Sequence, residues 1–129
     1  MKFTIHNPID EGWYADPEAR FYEGKYIIYV THSQPFDDQH NHSCFVSEDL
    51  THWEKIENII DMEGFPWAKC AIWAPTIEEK NGKYYYIFAS NDIPHKSEVG
   101  GSIAVQPGNA QVDRLIELSG LYQIIEKLA

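Results

Sequence analysis

Asp37, Asp38, His40, His42 and Cys44 crowd one short stretch, and all are side-chain types that ligate metals. His40 and His42 alternate, so in a strand they would share a face and could hold zinc or nickel adventitiously. A structural zinc site uses a closed, ordered set of four ligands. This stretch lacks one, so it reads as a solvated loop, with no metal and no cofactor expected. Cys44 and Cys70 read as small buried apolar residues rather than nucleophiles, and two cysteines cannot build a disulfide scaffold. Gly-rich phosphate loops, Gly-x-Ser-x-Gly elbows and Cys-x-x-Cys pairs are absent. Asp16 stands immediately before Pro17; by type and spacing alone, that dipeptide is a turn signal.

The elements that would position these groups are legible through an internal repeat. Residues 17–26 run Pro-Glu-Ala-Arg-Phe-Tyr-Glu-Gly-Lys-Tyr, and residues 75–84 run Pro-Thr-Ile-Glu-Glu-Lys-Asn-Gly-Lys-Tyr. Pro17 and Pro75 are 58 positions apart, as are Gly24 and Gly82. Glu23-Gly24 and Asn81-Gly82 are hairpin signals, because a tight turn needs positive φ. A β-rich run follows each: 27–31 and 85–89. Further strands are expected at 43–47, 52–56 and 101–105. Four strands in some 50–60 residues, repeated, is the pattern of a propeller blade. The predicted fold is therefore all-β, an incomplete β-propeller of about two four-stranded blades, the first near 13–60 and the second near 67–106. After it, 107–129 changes character. Asn109 is a candidate N-cap, and Val112, Leu115, Ile116, Ser119 and Tyr122 fall at helical spacing, which predicts an α-helical tail. Propellers close with roughly four to eight blades, so the open blade edges and the tail predict covering of the open blade or self-association into a homo-oligomer.

Composition sets the outer limits. The chain has 129 residues, with 20 acidic against 10 basic, giving a formal charge of −10. That balance argues against nucleic acid or an anionic membrane as partner. Aromatic residues make up 14% and apolar residues 43%, enough to form a core and too many for a disordered chain. No apolar run approaches a spanning helix. The first eight residues lack the apolar stretch of a secretory signal, which predicts a cytoplasmic location.

Five motifs in order carry a family likeness. Residues 7–17 (Asn-Pro-Ile-Asp-Glu-Gly-Trp-Tyr-Ala-Asp-Pro) come first, then Gly24-Lys25-Tyr26, then Ser47-Glu48-Asp49-Leu50 with Trp53. Ile72-Trp73-Ala74-Pro75, and 81–85 with 89–93, complete the set. Over residues 5–105 the sequence resembles family 43 glycoside hydrolases, five-bladed propeller enzymes acting on arabinose- and xylose-containing glycans. The resemblance implies that Asp16 is the general base that activates water in an inverting hydrolysis. In such a reaction a second, protonated carboxyl lies roughly 6.5–9.5 Å away. It implies that Trp73 is an aromatic wall of the sugar subsite, because a flat indole covers the apolar C–H face of a sugar. His32 and Phe36 would stand at the pocket rim. Residue by residue, a core role for Trp73 and packing or turn roles for Trp13, Trp67 and Asn91 stay open.

The family's general acid, a glutamate in a Glu-Gly-Pro setting, has no counterpart, since Glu11-Gly12, Glu23-Gly24 and Glu63-Gly64 all lack the proline. The aspartate that tunes that acid belongs to a third blade. General acid–base assistance is typically worth ~10²–10⁴-fold. The expectation is thus a truncated arabinosidase- or xylosidase-like chain, weak or inactive as a lone monomer. The alternative is a non-catalytic sugar-binding or self-assembling propeller fragment.

Overall fold

The computed structural model describes residues 4–91 and the backbone of one further strand at 102–107. Seven strands are present among the described residues: β1 (Tyr14–Tyr22), β2 (Lys25–His32), β3 (His42–Ser47), β4 (Glu54–Glu57), β5 (Cys70–Lys80), β6 (Lys83–Asn91) and β7 (Ser102–Pro107). They form two antiparallel meanders, ordered β1-β2-β3-β4 and β5-β6-β7. The second sheet has three strands among the described residues, against the four expected of a blade. The helix predicted for the tail at 107–129 lies outside the described residues, apart from Pro107, which ends β7.

The two hairpins form for the reason the sequence predicts. Glu23 and Gly24 have φ of 51° and 82°, and Asn81 and Gly82 have 57° and 70°. Positive φ at both central residues matches the right-handed strand twist. The turns close Tyr22 on Lys25 and Lys80 on Lys83. The β3–β4 connection is held differently. Asp49 Oδ1 accepts the N–H groups of Thr51 and His52, each at 2.8 Å, and Ser47 Oγ accepts that of Leu50 at 2.8 Å. The contact with His52 Nδ1, together with these N–H groups, holds the Asp49 carboxyl well below the usual carboxylate range. With His52 and its neighbours engaged in this turn, β4 starts at Glu54 rather than at the expected 52.

Alternate residues of the two sheets meet in one core. Ile27, Tyr29 and Cys44 come from the first sheet, and Ile72, Ile77, Tyr86 and Phe88 from the second. The connection at 58–69 adds Ile59, Ile60, Phe65 and Ala68. Asn41 fastens that connection, accepting the Ile60 N–H at 2.9 Å and donating to the Ile60 carbonyl at 3.0 Å. Repeat-equivalent residues bond each other where β1 lies along β5. Thr76 Oγ1 donates to Glu18 at 3.1 Å, and Arg20 reaches Glu78 at 3.2 Å.

One expectation is corrected here. The stretch 37–44 is not a solvated loop throughout: His42 is fully buried at the start of β3, and Cys44 is buried in that strand as expected. Of the alternating pair that seemed to offer ligands, only His42 is buried; His40 lies before β3 and is exposed. Burial pushes the Cys44 thiol up to about 12, so it stays protonated.

Candidate active site

The site is assembled at the end of the sheets where β1 begins and β2 ends. Tyr14 pairs with His32 and Ala15 with Thr31; the register then shifts before Glu18 pairs with Tyr29. Asp16 occupies that bulge at φ 50° and is exposed. Bulges re-aim a side chain out of the ladder, and aspartate tolerates left-handed φ better than most residues. Its repeat equivalent, Ala74, also precedes proline, also sits at a register shift and also has positive φ, 41°. The two sheets thus share one backbone device, and only the first copy carries a carboxylate there.

A hydrogen bond across the sheets joins the copies. The Ala74 N–H donates to Thr31 Oγ1 at 2.9 Å. Since Ala15 pairs with Thr31, the bond brings the neighbours of Asp16 and of Trp73 to the same end of the molecule. Trp73, half-buried on β5, meets the edge of Phe36 with ring centroids 5.7 Å apart at 82°. Its indole N–H donates to Gln39 Oε1.

His32 stands apart from that pair. Its ring packs edge-on against Tyr14 at 5.6 Å, and Nε2 lies 2.6 Å from Ser43 Oγ. Burial pushes its pKa down, as does the Lys55 charge, so the neutral ring is favoured near pH 7. Tyr14 in turn donates to Asp10 and lies beneath Lys55, whose Nζ is 5.4 Å from the ring centroid and 2.9 Å from Glu57. Of the predicted site residues, Phe36 and Trp73 are in ring contact. His32 connects to them through its carbonyl, which accepts from Gln39 Nε2 at 3.2 Å.

His42 underlies the site. Nε2 is 2.9 Å from the Ile72 carbonyl, and Nδ1 is 2.8 Å from the Tyr86 hydroxyl. A carbonyl only accepts, so Nε2 carries the proton and Tyr86 donates to Nδ1. Burial drives the His42 pKa down to about 4, against the Ile72 bond. No three His, Cys, Asp or Glu side chains converge as metal ligands among the described residues. The five candidates are dispersed: His42 in the core, His40 exposed and bonded to the Lys69 carbonyl, Asp37 and Asp38 on a 3-10 turn. Gln39 and Thr31 were not singled out by the sequence, and His42 was considered only as a metal ligand. Their roles come from partners some 30 to 43 positions away, for which no local spacing is a signal.

An open groove of about 390 Å³ lies at the opposite end of the first sheet, lined by Lys25, Ser47, Asp49, His52, Trp53 and Glu54 among others. Its carboxylate Asp49 is already committed to the β3–β4 turn.

Residues 5–107 match Glycosyl hydrolases family 43, and the chain belongs to that family. It is 42% identical over 72 residues to Beta-D-galactofuranosidase xynD of Aspergillus niger, covering 55% of this chain and 21% of that protein. It is 28% identical over 137 residues to a Beta-xylosidase of Xylanibacter ruminicola, covering 96% of this chain and 42% of the relative. The crystal structure of a GH43_1 enzyme from Xanthomonas citri complexed with xylose superposes with a TM-score of 0.62 at 26% identity, over 78% of this chain and 30% of that one. The chain thus spans less than half the length of these relatives. Its two packed antiparallel meanders are consistent with part of a family 43 β-propeller.

Proposed function

We propose that this chain carries the water-activating half of a xyloside- or arabinoside-hydrolysing site. Asp16 is the general base, and Trp73 with Phe36 forms an aromatic wall for a pentose ring. The observation that carries the reading is the Thr31–Ala74 hydrogen bond, which sets an exposed carboxylate on one sheet beside an indole-bearing strand on the other. The names of the relatives, a xylosidase among them, support the substrate class.

In this reading the sugar lies with its C–H face on the Trp73 indole, where apolar contact orients it without fixing its hydroxyls. The Asp16 carboxylate takes a proton from a water approaching the anomeric carbon from the side opposite the leaving group, inverting the configuration. The leaving oxygen needs a proton from a second carboxyl, and the chain has no Glu-Gly-Pro motif to provide it. Hydrolysis by this chain alone is therefore slow, and binding of xylo- or arabino-oligosaccharides outlasts it. The missing acid motif also favours a second reading, a sugar-binding module without turnover.

Aryl xylosides and aryl arabinofuranosides separate the two. Slow hydrolysis that drops to the uncatalysed rate in Asp16→Asn, with oligosaccharide binding intact, is the expected result. Turnover that survives Asp16→Asn removes Asp16 from the role of base. Binding with no turnover in either protein selects the module.

A further inference from the structure

We propose that Gln39 is the positioning residue of the aromatic wall, holding the Trp73 indole in its sugar-facing orientation through one carboxamide. The inference rests on the reading of Trp73 as a sugar contact.

Three groups of this residue are committed to the site. The Gln39 carbonyl accepts the Ile72 N–H at 3.0 Å, which fixes the loop between β2 and β3 to the start of β5. Gln39 Oε1 accepts the Trp73 indole N–H. Gln39 Nε2 donates to the His32 carbonyl at 3.2 Å. The partners fix which way the amide points, because an indole N–H only donates and a carbonyl only accepts. The reversed amide would set N–H against N–H and oxygen against oxygen. A carboxamide is thus matched at both ends. Glutamate matches the indole but not the carbonyl, and leucine matches neither.

Phe36 belongs to the 3-10 turn directly before Gln39, and its ring contact restrains the same indole from a second direction. Trp73 is half-buried, with part of its surface open to solvent. An aromatic side chain held in one orientation before the ligand arrives does not have to be ordered on binding, which favours affinity rather than chemistry. Gln39 itself need touch no reacting atom; it acts through Trp73.

The test is the Trp73 indole N–H resonance in a ¹⁵N-labelled full chain, assigned by its loss in Trp73→Phe, together with titration by xylotriose. In the wild-type chain this resonance should be protected from solvent exchange and should move on adding xylotriose. Gln39→Leu should shift it towards a free indole, speed its exchange and weaken xylotriose binding about tenfold, as expected when a preorganised group is released. Gln39→Glu, which keeps the acceptor, should restore most of the protection and affinity, and it guards against a folding defect in the leucine variant. An unchanged resonance in Gln39→Leu overturns the proposal. So does a shifted resonance with undiminished affinity, and in both cases the sugar response of wild-type Trp73 keeps the subsite reading intact. A wild-type resonance indifferent to xylotriose overturns the subsite reading, and the positioning role falls with it.

Discussion

Thr31 Oγ1 accepts the backbone N–H of Ala74 at 2.9 Å, 43 positions along the chain. Thr31 is 2% exposed, so the bond is made out of water and joins the two sheets beside both Asp16 and Trp73.

Replacing that hydroxyl while keeping its shape isolates the bond. Thr31→Val leaves the Ala74 N–H without its acceptor, at a cost of about 1–3 kcal/mol. Thr31→Ser keeps the hydroxyl and should lose less. Urea unfolding followed by tryptophan fluorescence measures both; a valine variant with the wild-type midpoint would show that the bond contributes nothing to the joining of the sheets.

His42 makes stability depend on pH. Its pKa falls from 6.5 to about 4 in the folded chain because burial disfavours the charged ring. Between those values the unfolded chain binds the proton and the folded one does not, so stability decreases as pH drops from about 6.5 to 4. The loss levels off below that range, after about 3 kcal/mol. His32, whose pKa is also lowered, adds a contribution of the same sign. Denaturant midpoints measured across this range should fall with acidification. His42→Gln should be less stable at pH 7 and flatter in its response; an equally steep slope in that variant would assign the effect elsewhere.

Gly82 tests how much of the second hairpin is backbone conformation alone. A Cβ added there meets nothing within 4 Å, but φ is +70°. Gly82→Ala should therefore cost about 1–2 kcal/mol from left-handed strain without steric conflict. Gly82→Asn should cost less, because asparagine tolerates that region. Thermal melts of the two variants give the comparison, and alanine melting no lower than asparagine would contradict it.

The parts of this molecule legible in its sequence are those encoded over a few residues. The proline-to-glycine spacing shared by both copies, with the run after each turn, was enough to locate both hairpins, because turn chemistry and strand alternation are local. The start of β4 was misplaced because the Asp49 side chain takes the Thr51 and His52 N–H groups, a bond that spacing alone does not reveal. His42 was misread for a different reason. Its residue type and polar neighbours suggested a wet loop, whereas its two partners, Ile72 and Tyr86, lie 30 and 44 positions away on the other sheet. Gln39 and Thr31 gave no signal for the same reason. Asp16 is proposed as a site residue by resemblance alone; its residue type and spacing describe a turn, and it sits in a bulge at positive φ.

The most direct test of the half-site is calorimetric titration of xylotriose into the wild-type chain and into Trp73→Ala. Saturable binding that weakens at least about tenfold on loss of the indole, equivalent to 1.4 kcal/mol, is the predicted result. Equal affinity in the two proteins, or no binding to the wild-type chain, would contradict a pentose site built on Trp73 beside Asp16.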